Sequence, residues 1–439
     1  MIFDTKKSKS YVLGYDLSDS FCQISYLSSD SDMPQTLSVL AGAELYNIPT
    51  VLSKEKGTSN WYYGKDAVKR IKENDDIEIN DLVQKAREGS VVKVDGTEYS
   101  PVALLALFIK RSLSLLSMEM SMELVKSIVF TARDLDEKMV EVLAMVVDKL
   151  GLDGCDVLYQ SYEESLYYYM LYQSDELKKQ NVIAVSYDFG RMYVYLLRFN
   201  RGLSPIVACV DTSYYDDLAL ADPELPASDE KIDMMDEQLL FLLRHHMENI
   251  VVNSVYLLGS GFRSQWMQKS LKFLCMGRRV FLGNNLFSKG ASIAAREKIC
   301  PSDFVSDYVF LRKDKLFYNI GMLVDKSGKE VYHALLDAGI SWYDAAASIS
   351  VILDTKPELK LIMTSVIEGT QHEEVLELKD LPERPDRTTR LRIDLRMKSE
   401  EILTVYVEDQ GFGEIYPSSG TTWSFDVSCR RDLEIENII

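Results

Sequence analysis

Apolar and polar positions change period several times along the chain, and the changes predict its elements. From Tyr11 to Leu27 (YVLGYDLSDSFCQISYL) a β-branched and aromatic stretch runs into Asp16, breaks at a polar turn and resumes. This is the pattern of two strands closed by a tight turn. Val182 to Phe199 (VIAVSYDFGRMYVYLLRF) repeats it around Asp188. Alternation to about Ala43 predicts a third strand, and a short strand is expected near Ile48 to Leu52. Ser100 and Pro101 suit a helix cap and first turn, and the apolar spacing carries that helix through Leu115. Ser127 to Thr131 reads as a buried strand. Asp134 with Glu137 resembles a capping box, opening a helix that runs to Leu150 and stops at Gly151. A strand near Val157 to Gln160 and a helix from Tyr162 follow, with its tyrosines (Tyr167, Tyr168, Tyr169, Tyr172) expected to pack.

The same order then restarts. Strands are expected at Val182–Tyr187, Tyr193–Phe199 and Ile206–Val210, then a helix near Asp233–Met247. A strand at Ser254–Leu258 meets GSGFR (Gly259 to Arg263), and a short strand at Arg279–Phe281 precedes a helix from about Ser288. The repeat implies an internal duplication. After Cys300 helical spacing disappears. Ser348–Leu353, Leu359–Val366, Val375–Leu378, Thr389–Met397, Ile402–Glu408 and Thr421–Val427 alternate instead, which predicts a separate β-sandwich. The expected organisation is an α/β two-lobed domain over 1–302, with lobes at about 1–178 and 179–302, followed by an all-β sandwich over 303–439.

Composition narrows the function classes. The chain has 439 residues, 46% hydrophobic and 27% charged, with 11 prolines, which suits folded domains and not long disordered tracts. A net charge of −19 repels phosphate backbones and counts against nucleic acid as partner. The six cysteines form no CxxC or close pair, so free thiols in a reducing cytoplasm are expected. The four histidines lack HxxxH or HExxH spacing, which argues against zinc. MIFDTKKSKS has no apolar core for a signal peptide, and Val102 to Leu116 is interrupted by Lys110 and Arg111, so no membrane segment is expected.

Twin hairpins bearing carboxylates suggest a chemistry. Facing one another, they can grip a polyphosphate, with turn N–H groups on the phosphate oxygens and the carboxylates on a metal ion or its waters. Taken together, GYDLSDS (Gly14 to Ser20), IPTVLS (Ile48 to Ser53), GKDAV (Gly64 to Val68), YDFG (Tyr187 to Gly190), LLGSGFR (Leu257 to Arg263) and FSKGASIAA (Phe287 to Ala295) resemble the ordered motifs of the DnaK-type heat-shock chaperones. These belong to the actin, sugar-kinase and heat-shock ATPase superfamily, whose two-lobed domain is a duplicated ribonuclease-H-like fold. The C-terminal strands, with SVIEG (Ser365 to Gly369) and EILTVYVEDQGFGE (Glu401 to Glu414), are similar to the chaperone substrate-binding sandwich.

The resemblance implies ATP or ADP with Mg²⁺ as cofactor. Asp16 and Asp188 would be catalytic and would hold the Mg²⁺ through water, and Lys85 would be a phosphate-contacting lysine. Gly14, Ser18, Asp19, Ser20, Gly190, Arg191, Gly259, Ser260, Gly261 and Arg263 would bind nucleotide. The pattern also departs from the family. Ser18-Asp19-Ser20 replaces a glycine turn, Gly190-Arg191-Met192 replaces a glycine run, and Ser161 stands at the catalytic glutamate position, two residues before Glu163. Losing a general base costs on the order of 10²- to 10⁴-fold in rate.

Three functions follow as expectations. The first is a chaperone-type protein whose ATP-binding domain is coupled to a polypeptide-binding sandwich. The second is a non-hydrolysing pseudo-ATPase scaffold, and the third a small-molecule kinase of the same superfamily. Hydrolysis of ATP is left open. The expected partner is a polypeptide held by the sandwich.

Overall fold

The computed structural model describes residues 9–40, 43–188, 191–216, 228–262, 266–283 and 285–429. The chain is an α/β region with mixed sheets followed by an all-antiparallel β region. It forms two compact units, one built from 1–197 and 210–302, the other from 198–209 and 303 onward.

The first unit opens with β1 (Tyr11–Leu17), β2 (Phe21–Ser28), β3 (Gln35–Thr36) and β4 (Ile48–Pro49). A polar insertion follows, made of β5 (Leu52–Lys54), β6 (Trp61–Tyr63), α1 (Gly64–Asn74), β7 (Ile77–Ile79), α2 (Leu82–Glu88), β8 (Val92–Val94) and β9 (Thr97–Tyr99). Then come α3 (Pro101–Leu113), β10 (Val125–Ala132), α4 (Glu137–Leu150), β11 (Asp156–Ser161), α5 (Tyr162–Leu171) and α6 (Asp175–Lys178). The second half has β12 (Asn181–Asp188), β13 (Arg191–Asn200), β14 (Ile206–Tyr215), α7 (Asp229–His246), β15 (Val252–Leu258), α8 (Gln268–Leu274), β16 (Arg279–Gly283) and α9 (Leu286–Ile299).

The two main sheets share one strand order. The first runs β11-β10-β1-β2-β3, and the second contains the run β16-β15-β12-β13-β14. In each, the leading strand pairs antiparallel with its hairpin partner and parallel with a later strand. The register puts Asp16 beside Thr131 of β10 and Asp188 beside Arg191 of β13. Both carboxylates therefore sit at the turn ends of equivalent strands.

Sequence chemistry explains the helix limits. Asp136, not Asp134, caps α4 by accepting from the Met139 N–H at 2.8 Å, and Gly151 takes the left-handed conformation at its end. By length and composition the 18 residues Pro101–Met118 would suffice to cross a membrane, but 56% of that stretch is buried inside the protein. Its apolar side chains, among them Leu105, Phe108 and Ile109, belong to the core.

Helix α9 is drawn unusually close to the first half. A Cβ on Gly14 would lie 2.1 Å from the Ser288 carbonyl oxygen, and one on Gly290 would lie 1.9 Å from that of Ser165. The Ser25 and Ser288 hydroxyls meet at 2.8 Å in the buried seam. The close approach is thus made by β1 and α5 against α9, and it requires small residues on both sides. Gly290→Ala is expected to cost about 1–3 kcal/mol, as overpacking typically does. A denaturation midpoint unchanged from wild type would contradict that packing.

In the second unit, Ile206–Ala208 pair in parallel with β17 (Tyr308–Phe310). Beyond it lie β18 (Tyr318–Lys326), β19 (Lys329–Leu336), β20 (Ala346–Leu353), β21 (Glu358–Ser365), β22 (Gln371–Glu377), β23 (Thr389–Met397), β24 (Ile402–Gly411) and β25 (Thr422–Ser428). They form two four-stranded antiparallel sheets, β19-β18-β21-β22 and β20-β23-β24-β25. Alternate residues from both sheets, including Ile320, Met322, Leu361, Leu391, Ile393 and Val405, make one shared core. This is the sandwich expected from the alternating pattern.

Candidate functional site

The hairpin β1/β2 ends in a turn that satisfies itself. The Ser18 hydroxyl donates to the Phe21 carbonyl at 2.8 Å and accepts from the Phe21 N–H at 3.2 Å. The next residue reaches outward. Asp19 Oδ1 accepts from the N–H groups of Val83 at 2.8 Å and Gln84 at 3.2 Å. It therefore caps the first turn of α2 from a distance, a natural place for a carboxylate. Asp19 has its pKa raised, by burial first, with the two amides pulling the other way.

Asp16 is almost fully buried, with 2% of its surface exposed. Its Oδ1 accepts a hydrogen bond from the Tyr162 hydroxyl at 2.5 Å. Burial raises the Asp16 pKa to about 7. The Tyr162 hydrogen bond and the charge of Arg133 oppose that rise, and Asp188 adds to it. Tyr162 itself is seated by a parallel stack on Phe287, with ring centroids 4.0 Å apart. It is the first residue of α5, immediately after the Ser161 cap that accepts from the Glu164 N–H at 3.2 Å.

Asp188 is held on its own side. Its Oδ1 accepts from the Ser260 N–H at 2.7 Å and the Ser260 hydroxyl at 2.8 Å. The turn that offers these donors depends on Gly259, whose φ is +100° and whose added Cβ would lie 2.4 Å from the Tyr187 carbonyl oxygen. Gly261 has a different neighbour, since a Cβ there would fall 1.9 Å from the Tyr187 ring. Trp266 closes that packing by donating to the Gly261 carbonyl at 2.8 Å.

Asp16, Ser18, Asp19, Ser20, Arg191, Asp188 and Gly259 all line one cavity of about 340 Å³, together with Asp81, Gln84, Arg133, Tyr162, Ser186 and Phe287. Three expected residues lie elsewhere. Gly14 is under α9, Gly261 is under Tyr187, and Lys85 turns to the Asn80 carbonyl at 2.6 Å and the Asn80 side chain at 3.0 Å. Ser260 touches the cavity only through its bonds to Asp188. Glu163 is buried and accepts from the Thr212 hydroxyl at 3.0 Å. Gly190 and Arg263 lie outside the described residues.

Residues 33–313 match the C-terminal part of a family of unknown function, DUF5716, and residues 315–429 match a domain of unknown function, DUF8552. The chain belongs to the DUF5716 family. No curated protein matches its sequence.

The cavity of this DUF5716 protein is a poor fit for a magnesium nucleotide. Its volume lies toward the lower end of the roughly 300–1,000 Å³ usual for ligand sites. Four carboxylates, Asp16, Asp19, Asp81 and Asp188, face two guanidiniums, Arg133 and Arg191, so the lining is net acidic before any phosphate enters. Mg²⁺ needs one or two carboxylates plus phosphates and water, so the number of acids is sufficient. Their commitments are one obstacle. Asp16 is bonded to a tyrosine hydroxyl, Asp19 to the end of α2, and Asp188 to Ser260. Among the described residues no three His, Cys, Asp or Glu side chains are grouped to hold a metal.

Two residues that shape this DUF5716 site carry no motif. Arg133 follows the end of β10, with its guanidinium 3.7 Å from the Tyr193 ring centroid and 5.4 Å from that of Tyr162. Burial opposes its charge, yet the tyrosines around it (Tyr195, Tyr162 and Tyr193) more than offset that and hold its pKa above the ordinary arginine value. Tyr162 was visible in YQSYEES, between the two positions compared for a catalytic acid. Its partner, Asp16, lies 146 positions away, so the segment itself gave no signal of the bond.

Proposed function

We propose that this chain is a non-hydrolysing relative of the actin and heat-shock ATPase superfamily, working as a binding protein. In this reading the cleft of the α/β unit is a structural joint, and the sandwich carries the contact with a polypeptide partner. The Tyr162 hydroxyl on Asp16 is the observation that carries it. A hydrolase needs that carboxylate charged and open to a metal's water, whereas here a phenol engages it and burial moves its pKa to about 7. The absence of a glutamate at position 161 and the turn of Lys85 toward Asn80 support the same reading. The resemblance of the ordered motifs to DnaK-type chaperones supports the superfamily, and the two antiparallel sheets support a sandwich that pairs with extended chain.

Phosphate release and thermal melting with Mg-ATP test the proposal together. The expected result is release no faster than in buffer and a melting temperature unmoved at about 1 mM Mg-ATP, since a ligand specific for the native state would raise it. Steady turnover that is abolished by Asp188→Asn would replace this reading with the ATP-coupled chaperone. Binding of unfolded polypeptides by the full chain, unaffected by ATP, is the expected partner result.

A further inference from the structure

Five side chains form a continuous stack across the α/β unit. Tyr214 and Tyr193 meet with ring centroids 4.7 Å apart, and Arg133 lies over Tyr193 at 3.7 Å. The guanidinium also lies over the Tyr162 ring at 5.4 Å, and Phe287 stacks on Tyr162 at 4.0 Å. Arg133 and Tyr162 come from the first half, after β10 and at the start of α5, whereas Tyr193 and Tyr214 stand on β13 and β14 of the second half. The guanidinium thus lies at the junction of the duplicated halves. Its Nε is buried and makes no hydrogen bond, and the Tyr193 ring covers the guanidinium at 3.7 Å.

The surroundings call for a cation. Asp16 and Asp188 line the same cavity and repel one another, and the repulsion grows as water is excluded. Arg133 lines that cavity too and acts on Asp16 with the opposite sign. A guanidinium is charged at every ordinary pH, is weakly hydrated, and stacks on aromatic faces in a way an ammonium does not.

We propose that Arg133, which lines the cleft together with both carboxylates, is a resident cation that stands in for a divalent ion there and joins the halves without a ligand. The inference rests on the reading that the cleft does not turn over Mg-ATP. It adds that a divalent ion is kept out by a side chain, so removing that side chain creates a metal site.

Manganese titration of the full chain, followed by calorimetry and thermal melting without nucleotide, tests it. Wild type is expected to show no saturable binding up to about 5 mM Mn²⁺ and no rise in melting temperature. Arg133→Gln and Arg133→Ala are expected to bind one Mn²⁺ at least about tenfold more tightly than wild type, because Asp16 loses the positive charge that acts on it, while Arg191 remains in all variants. Arg133→Lys, which keeps the charge, is expected to stay refractory. Asp188→Asn in the Arg133→Gln background is expected to abolish the gained site. Arg133→Gln preserves length and polarity, and circular dichroism of each variant guards against loss of fold. Binding by wild type as tight as by Arg133→Gln would overturn the inference, as would failure of both folded variants to gain a site. Phosphate release from Mg-ATP by wild type would instead overturn the functional reading on which it rests.

Discussion

Asp16→Asn is expected to stabilise the protein at pH 8 by up to about 4 kcal/mol, since each unit of pKa displacement is worth about 1.4 kcal/mol. The reason is the raised pKa of about 7 for a carboxyl that burial strips of water. The unfolded chain would ionise this group near the usual carboxylate value of about 4. Below that pH the carboxyl is protonated in both states and costs nothing. Between about 4 and 7 the unfolded state has released its proton while the folded state retains it, so stability falls as pH rises. Above 7 the full cost is present. Asparagine removes the charge and keeps an oxygen for the Tyr162 hydroxyl. Urea denaturation at pH 5 and pH 8 checks both sign and size. The variant's advantage should be small at pH 5 and large at pH 8, and an equal loss of stability at both would show that the carboxylate contributes to the fold instead of straining it.

The opposite case lies in the sandwich. Asp409 is wholly buried, and its two oxygens accept from Arg384 at 2.8 Å each. The Gly411 N–H at 2.9 Å and the Ser419 N–H at 2.9 Å complete the set, with the Ser419 hydroxyl at 2.6 Å. Arg384 also donates to the Pro417 carbonyl at 2.8 Å, so the pair ties two loops to β24. Asp409→Ala leaves a buried guanidinium without its partner and is expected to cost about 3–5 kcal/mol. Replacing both, as Arg384→Met with Asp409→Leu, is expected to recover most of that loss, because two well-packed apolar groups need no compensation. Burial alone would raise the Asp409 pKa, but Arg384, Ser419 and the Gly411 amide outweigh it and hold the carboxyl far below its usual range. This contribution is therefore complete above the unfolded pKa and disappears as pH falls toward the folded value. Denaturant midpoints for the single and double variants at neutral pH decide the matter. A double variant as weak as the single one would show that the pair contributes beyond avoiding an unpaired charge.

The two carboxylates move stability in opposite directions with pH, and the sequence distinguished neither environment. What it did carry was periodicity. The run from Tyr11 to Leu27 displayed β1 and β2, and Thr389–Met397 displayed β23 to the residue. Alternation is written locally, so it is readable without knowing what lies across the sheet. The hairpin of β18 and β19 escaped notice because seven of the eight residues of β19 are exposed or half-exposed and show little contrast between its faces. Strands β6 to β9 of the insertion escaped for a related reason, since each has only three residues.

The candidate site divided along the same line. Asp16 and Asp188 were conspicuous because each interrupts an apolar run, and the structure lines one cavity with both. Arg133 was not, because its meaning lies in Tyr193, 60 positions away and on another sheet. Asp19 stood in a stretch that replaces a glycine turn, and its partners, the amides of Val83 and Gln84, lie more than sixty positions away. Glycines misled in the same way. Gly14 and Gly261 are small for the sake of Ser288 and Tyr187, neighbours that a linear motif does not reveal.

The placement of α9 has a consequence for biosynthesis. The helix that covers β1, with Gly14 set against Ser288, is encoded nearly three hundred residues downstream. A nascent chain emerging from the ribosome at about 5–20 residues per second will expose that apolar strand surface for many seconds before its cover arrives. The early sheet must wait unfinished, or be sheltered by another protein, until Ile299 has cleared the exit tunnel.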